Sequence, residues 1–513
     1  MTEPANSGIV VLEGPVRGQR IPMRRESAVA FVGSAPRGPV GIPVAVLSVD
    51  EYRRRFGAPG HRSRAQDLLG QFFENGGTNA IFVRVSASGR RRRIVMPAPA
   101  GELVLTACNP GPHECLRASV DYDGIPAGDE ERFNLVIHRL ASRDKPVVTE
   151  QEIYRAISVD PGDPDFVTQA LIDSKLARVA GATPLSRPAI TRCPGVEPGA
   201  SYQYADDEWH EHSVLTDYDL IGCNTDGTGI FALDRVPVVD ALCLVPDADD
   251  LGPVALFAAE RYCRSRHAML FVDPPASWQS VADVVGDRMH SGFSSPNVAT
   301  YFPRPASVAG TGPNRTPSAL GALVGRLVAG DAEKGVWHMR GRDSRKLRCR
   351  FRLVQSLDAR EQAALNRLGV NTLCERPGYL RASGLVTLDG GSGMRGEWRD
   401  LALRRLALFI VGSIARGTRW AAFADDDEKT REDLRRQVTG FMDALHTAGA
   451  LSVDGSGADW YFIRDHDRTA GGKGFTVGFA LVDGAFTAYR FVQDRRDCCV
   501  LPVGWQAGVA LTG

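Results

Sequence analysis

Nowhere do about 18 to 20 apolar residues run together, the length a helix needs to cross a bilayer, so nothing in the 513-residue chain reads as a membrane span. Excess charge is missing too. The 61 basic and 61 acidic residues cancel, leaving no global field of the kind used against duplex nucleic acid or an anionic membrane. The first 25 residues are polar and carry arginines without an apolar signal core, which predicts synthesis without export by a signal peptide. The ten cysteines form no CxxC pair, so a zinc ribbon has no support. Cys243 stands inside an apolar run, as a reduced core thiol would.

Recognised catalytic frames are also lacking. The glycine-rich runs 226–229, 390–393 and 471–474 fit neither GxxxxGK[ST] nor GxGxxG and read as turns. His210-Glu211-His212 and His113-Glu114-Cys115 are not HExxH, and alternate positions share a helix face poorly, so solvated loops explain them better than a metal. His290 with Ser291, Ser294 and Ser295 has no GxSxG elbow. One acidic set has the right address for chemistry. Asp247, Asp249 and Asp250 follow one expected strand and Asp273 another, at the strand ends where open α/β sheets bind ligands. They could hold Mg2+ for hydrolysis, but no lysine, histidine or phosphate loop accompanies them, and turn acids are the commoner explanation.

What is present is an α/β pattern long enough for about three or four domains. Ala28 to Gly33 and Ala80 to Val85 are short apolar runs with a helix, Ser63 to Asn75, between them. The arginines before Ile94 mark a boundary, and β-type runs follow at 102–106, 116–122 and 133–139, with helical patterns at 151–157 and 166–176. From Val236 strands and helices alternate as a βαβαβα unit, which predicts a parallel sheet with right-handed crossovers.

The stretch from Glu397 to Leu451 reads as a helix, a short strand over 418–423 and a second helix. Leu403, Leu406, Ile410 and Ile414 form one stripe, with Arg404, Arg405 and Arg416 off it, which predicts a single buried face. Asp425 to Asp427 offer an N-cap for the second helix, whose stripe is Leu434, Val438, Phe441, Met442 and Leu445, and Gly449 stops it. Strands are expected at 460–464, 475–481 and 485–491, then a loose arm.

Two distant blocks carry a resemblance. AVAFVGSAPRGPVGIPVAVLSVDEYRRRFG (28–57) with LLGQFFENGGTNAIFVRV (68–85), and the block from Leu401 to Leu451, resemble the two halves of the inner domain of contractile tail sheath proteins from phages and contractile injection systems. ISVDPGDPDFVTQAL, LFVDPP, EKGVW and LNRLGVN match sheath-like segments in order between them. Both ends depart from the family, SGIVVLEGPV and GFTVGFALVDGAFTAYRFVQ standing where it has other segments.

The resemblance implies an α/β (α+β multidomain) protein. Its parts would be an arm (1–26), an inner sheath domain from both chain ends (27–88 and 346–491), an inserted β-rich outer domain (89–215), a doubly wound subtilisin-like α/β domain (216–345) and a C-terminal arm (492–513). It implies a non-enzymatic subunit without cofactor, assembled in the bacterial cytoplasm into a phage tail or tail-like particle. Its partners would be copies of itself in stacked rings, an inner tube protein, and baseplate and cap proteins, with no direct nucleic acid and no membrane insertion. Major sheath subunit and minor paralogue both stay open, as does a hydrolase at the acidic cluster. Ile9, Val10, Val11 and Leu12 would form a strand donated to a neighbour, with Phe475, Val477, Phe479 and Leu481 in the accepting sheet. Arg431, Arg435 and Arg436 are the candidate tube contacts.

Overall fold

A computed structural model describes residues 20–57, 63–87, 91–111, 113–144, 146–191, 202–206, 215–290, 292–306, 317–338, 346–348, 351–389, 398–425, 427–451, 461–465, 473–480, 486–493 and 498–503. Ile9 to Leu12, His210 to His212, Ser291 and Leu481 lie outside them.

The sequences VAFVG, ALCLV, MLFV and VATYF are apolar at nearly every position, which suits strands covered on both faces. They form the middle of a nine-stranded sheet. Its order is Lys346–Leu347, Tyr379–Ser383, Asn371–Arg376, Val298–Phe302, Met269–Val272, Ala241–Val245, Val29–Gly33, Ala80–Arg84, Pro43–Val46. The six strands from Asn371–Arg376 to Ala80–Arg84 run parallel, and the outer ones are antiparallel. Side chains alternate between two cores: Val29 and Phe31 join one with the helices Val49–Phe56, Arg64–Glu74 and Leu320–Lys334, while Ala30 and Val32 join the other with Pro253–Ser265 and Val281–His290. The register Val29↔Ala241 ties the start of the chain to its middle. Backbone pairing thus joins 29–84 and 371–383 to 241–302 in one sheet.

Two helices on the first face meet through glycine. A Cβ at Gly321 would lie 2.0 Å from the Leu68 carbonyl oxygen and one at Gly325 2.3 Å from that of Phe72, so only glycine permits this approach.

Between Arg84 and Leu215 an insertion builds two smaller sheets around one core. Gln203–Tyr204, Leu116–Asp121, Arg132–Leu140 and Val148–Ser158 form the first, and Arg93–Ala98, Gly101–Ala107 and Ala177–Val179 the second. The helix expected at 151–157 is instead an edge strand, because the nine residues of Arg132–Leu140 offer it a ladder that outweighs local propensity. The helix expected at 166–176 is a single turn, Val167–Ala170.

The helix Leu401–Gly417 departs most from expectation. Every residue from Leu401 to Ala415 is buried, Arg404 and Arg405 included, because the helix lies between two layers. Leu401, Ala402 and Leu408 join the core of the large sheet, while Leu403, Leu406, Phe409, Ile410 and Ile414 join a third core with the helix Glu428–Thr447. The chain between these helices is a 3-10 turn, Arg419–Ala422, not a strand: the helix simply continues into it, with the Thr418 hydroxyl bonded back to the Ile414 carbonyl. Asp427 caps the second helix by accepting from the Thr430 amide, and Gly449 follows it at φ +74°.

A terminal sheet closes this third core, in the order Tyr461–Asp465, Lys473–Ala480, Phe486–Gln493, Cys498–Val503. Residues 498–503 are thus a strand where a loose arm is expected. The Phe475 and Phe486 strands are interior rather than edges, each paired on both sides.

Candidate functional site: strand ends and terminal sheet

In a doubly wound sheet the ligand crevice opens where strand order reverses. Here the reversal lies between Val29–Gly33 and Ala241–Val245, and the carboxyl ends of these strands carry Ser34 and Asp247. The sequence-predicted acids do gather at this end, but the chain's own donors pin them. The Ser34 hydroxyl donates to Asp247, whose other oxygen accepts the Leu215 amide at 3.4 Å. Arg304, 6% exposed, donates to the Asp250 carboxylate at 2.6 Å and to the carbonyls of Asp249 and Pro274. Asp273 accepts from Arg64 at 3.3 Å and from the Ser318 hydroxyl at 2.7 Å. Among the described residues no three His, Cys, Asp or Glu side chains are grouped to hold a metal.

The nearby helix N-terminus is occupied as well. Asp217 accepts from the amides of Gly252 and Ala255 at 3.1 and 3.0 Å, filling the place at the start of Pro253–Ser265 where an anion would bind. A Cβ at Gly252 would lie 2.1 Å from that carboxylate. Arg304, Arg64 and Asp217 make the crevice a set of pinned loops.

The other motif residues are dispersed. Glu114 is fully buried and bonded to Arg139, the His290 ring is bonded to the Gly286 carbonyl, and the buried Ser295 hydroxyl donates to Glu260.

Polar groups converge instead where the Leu401 helix meets its two layers. Arg405 makes a two-pronged pair with fully buried Asp331, to which the Ser27 hydroxyl also donates at 2.7 Å. Arg404 reaches Asn297 beneath the large sheet at 2.7 Å and the Tyr489 hydroxyl of the terminal sheet at 3.4 Å. Burial pushes its guanidinium below the usual range, with Tyr489 acting against the shift. Arg84 donates only to the carbonyls of Ala35, Gly38 and Pro110, and burial pushes it down to about 10.

Phe475, Val477 and Phe479 are buried against this helix pair, so their side chains serve the core, and exposed backbone must be sought at the sheet's edges. One edge is Tyr461–Asp465; the other is Cys498–Val503, where Leu501 is 50% exposed. The described start of the chain enters the same third core. Ile21 is buried against Gly417, where a Cβ would lie 2.6 Å from its side chain, and Arg24 pairs with Asp240 at 3.0 Å. Arg431, Arg435 and Arg436 do share the exposed face of Glu428–Thr447, with Arg436 paired to Asp433 on the same helix. Phe423, expected inside a strand, is 66% exposed just before that helix.

No family model and no curated protein matches the chain. Solved structures do. The sheath tail protein Lin1278 from Listeria innocua aligns over 93% of this chain and 94% of its own, with a TM-score of 0.58 and 13% identity. The contracted helical sheath of the anti-feeding prophage aligns over 94% and 97%, with a TM-score of 0.53 and 15% identity. A chain of the anti-feeding prophage baseplate aligns over the same shares at 0.50 and 14%.

The fold is that of a tail sheath protein. Across the tail sheath fold the likeness spans the large sheet, the insertion and the terminal sheet together, since it covers more than nine-tenths of each chain. At these identities it lives in backbone topology, which accounts for the silence of sequence comparison.

Proposed function

We propose that this chain is a structural subunit of a contractile sheath, which polymerises helically around an inner tube and contracts to drive the tube through a target envelope. The observation that carries this is the whole-chain likeness to the contracted anti-feeding prophage sheath. The pinned strand ends agree with it: a subunit whose work is a change of packing needs no bound nucleotide, energy being stored in the extended assembly and released on repacking. Rings of copies, a tube, a baseplate and a cap are the partners of this role, and a phage tail or tail-like particle its location.

Neighbours are linked through the terminal sheet. Ile9 to Leu12 add to an edge of a neighbour's sheet, at Tyr461–Asp465 or in place of Cys498–Val503, and the Ile21 seat at Gly417 fixes where the arm departs. Each backbone hydrogen bond contributes only about 0.5 to 1.5 kcal/mol net. Repetition around a ring makes release of one subunit require several breaks together. Purified chain at high concentration is expected to form striated tubes by negative-stain microscopy. Deleting residues 1–20 should leave circular dichroism intact and abolish long tubes; normal tubes from the truncated chain would sink strand donation. Short collars from the intact chain would assign the minor-paralogue role.

Arg431, Arg435 and Arg436 face the tube. Arg435→Glu with Arg436→Glu is expected to weaken tube pull-down severalfold, with the remaining binding less sensitive to salt. Unchanged binding would leave the face as plain exterior.

A further inference from the structure

The longest strand among the described residues lies at a sheet edge of the insertion. Val148–Ser158 runs for 11 residues and pairs on one side only, with Arg132–Leu140. Its far end is covered. The Ser158 amide donates to the Asp165 carbonyl at 2.9 Å, and the register breaks at Asn134, whose side chain accepts the Ala156 amide at 2.9 Å with Ala156 at φ +51°. Before that bulge the ladder is regular, Glu150 to Tyr154 facing Arg139 to Leu135. Gln151, Ile153 and Arg155 are exposed along it, Ile153 by 52%, and neither proline nor lysine interrupts the strand. Such an edge offers a row of backbone donors and acceptors to any other strand, which is why folded proteins cover or blunt it.

We propose that two unassembled copies of the chain cover this edge for each other, Val148–Ser158 pairing antiparallel with itself about a two-fold axis at Ile153. The strand is complementary to itself in that register. With Ile153 opposite Ile153 of the second copy, Gln151 meets Arg155 twice and Glu152 meets Tyr154 twice, so one apolar pair lies between polar pairs and no like charges are opposed. Neighbouring registers lack this match. An axis at Glu152 sets that carboxylate against its own copy, one at Gln151 sets Glu150 against Glu152, and one at Tyr154 carries the ladder into the bulge at Ala156. The contact goes beyond the sheath role. Neighbours in a helical sleeve are related by a screw operation, whereas a self-paired edge needs a two-fold, so this pairing belongs to free subunits. It keeps a long open edge from joining foreign strands before assembly.

The test is disulfide trapping on the full-length chain with oxidised glutathione, at a concentration where negative-stain microscopy shows no tubes. Ile153→Cys places a thiol opposite its own copy, with Cβ atoms about 4.5 to 5.5 Å apart. It should give covalent dimer several-fold above wild type, whose native cysteines set the background. Gln151→Cys and Arg155→Cys should each stay at background alone and give dimer when mixed, since they face each other only across the axis. Ile153→Lys should shift the chain from dimer to monomer in sedimentation, with its circular dichroism unchanged and tubes still forming at high concentration. Loss of this pairing and failure of the sheath role are thereby read separately. Equal trapping of Gln151→Cys alone, or no dimer above background from Ile153→Cys, would overturn the pairing.

Discussion

The large sheet and the terminal sheet solve the edge problem in opposite ways. One edge of the large sheet is only two residues long, Lys346–Leu347, and the other is a four-residue strand opening on Pro43, which has no amide hydrogen to offer. The terminal sheet ends instead on the six-residue strand Cys498–Val503, interrupted at Pro502 and exposing Leu501 and Val503. Among the described residues the chain therefore blunts both edges of one sheet and leaves apolar side chains exposed along an edge of the other.

Breaking the sealed half and breaking the seam between the halves should have the two largest effects, of similar size. Gly325→Val drives a branched side chain into the Phe72 backbone, and chemical denaturation is expected to show a loss of about 3 kcal/mol or more. A loss below about 1 kcal/mol would mean that the two helices separate readily. Next comes the seam between the halves. Asp331→Ala strands Arg405 in the interior and should cost about 3 to 5 kcal/mol, whereas Asp331→Leu with Arg405→Met should recover most of it, since apolar groups of similar volume commonly replace a buried ion pair without loss. A double variant as unstable as the single would show that the ion pair itself holds the seam. The smallest effect belongs to the open edge: Leu501→Glu should change monomer stability by no more than about 0.5 kcal/mol, and a larger loss would put this strand in the sealed class.

Local pattern revealed what local physics decides. The apolar runs of the large sheet, the cap at Asp427 and the stripe from Leu434 to Leu445 are legible because their causes lie within a few residues. Arg404 and Arg405 read as solvent-facing because their partners, Asn297 and Asp331, lie 107 and 74 residues away. Distance hides the strand-end donors in the same way: Asp247, Asp250 and Asp273 are visible as acids, but Ser34, Arg304 and Arg64 reach them only once the sheet has formed. Residues 151–157 were misleading for another reason, since the ladder that makes them a strand belongs to residues 132–140.

The buried helix Leu401–Gly417 has a mechanical consequence. Packed interiors compress little and pass strain onward, and this helix has almost no free side on which to yield. A pull on the terminal sheet reaches Tyr489, then Arg404, then Asn297 at the foot of the Val298 strand. The helix acts as a strut between two plates, so a load taken up at the edge of one sheet turns the other with it instead of being spent in bending.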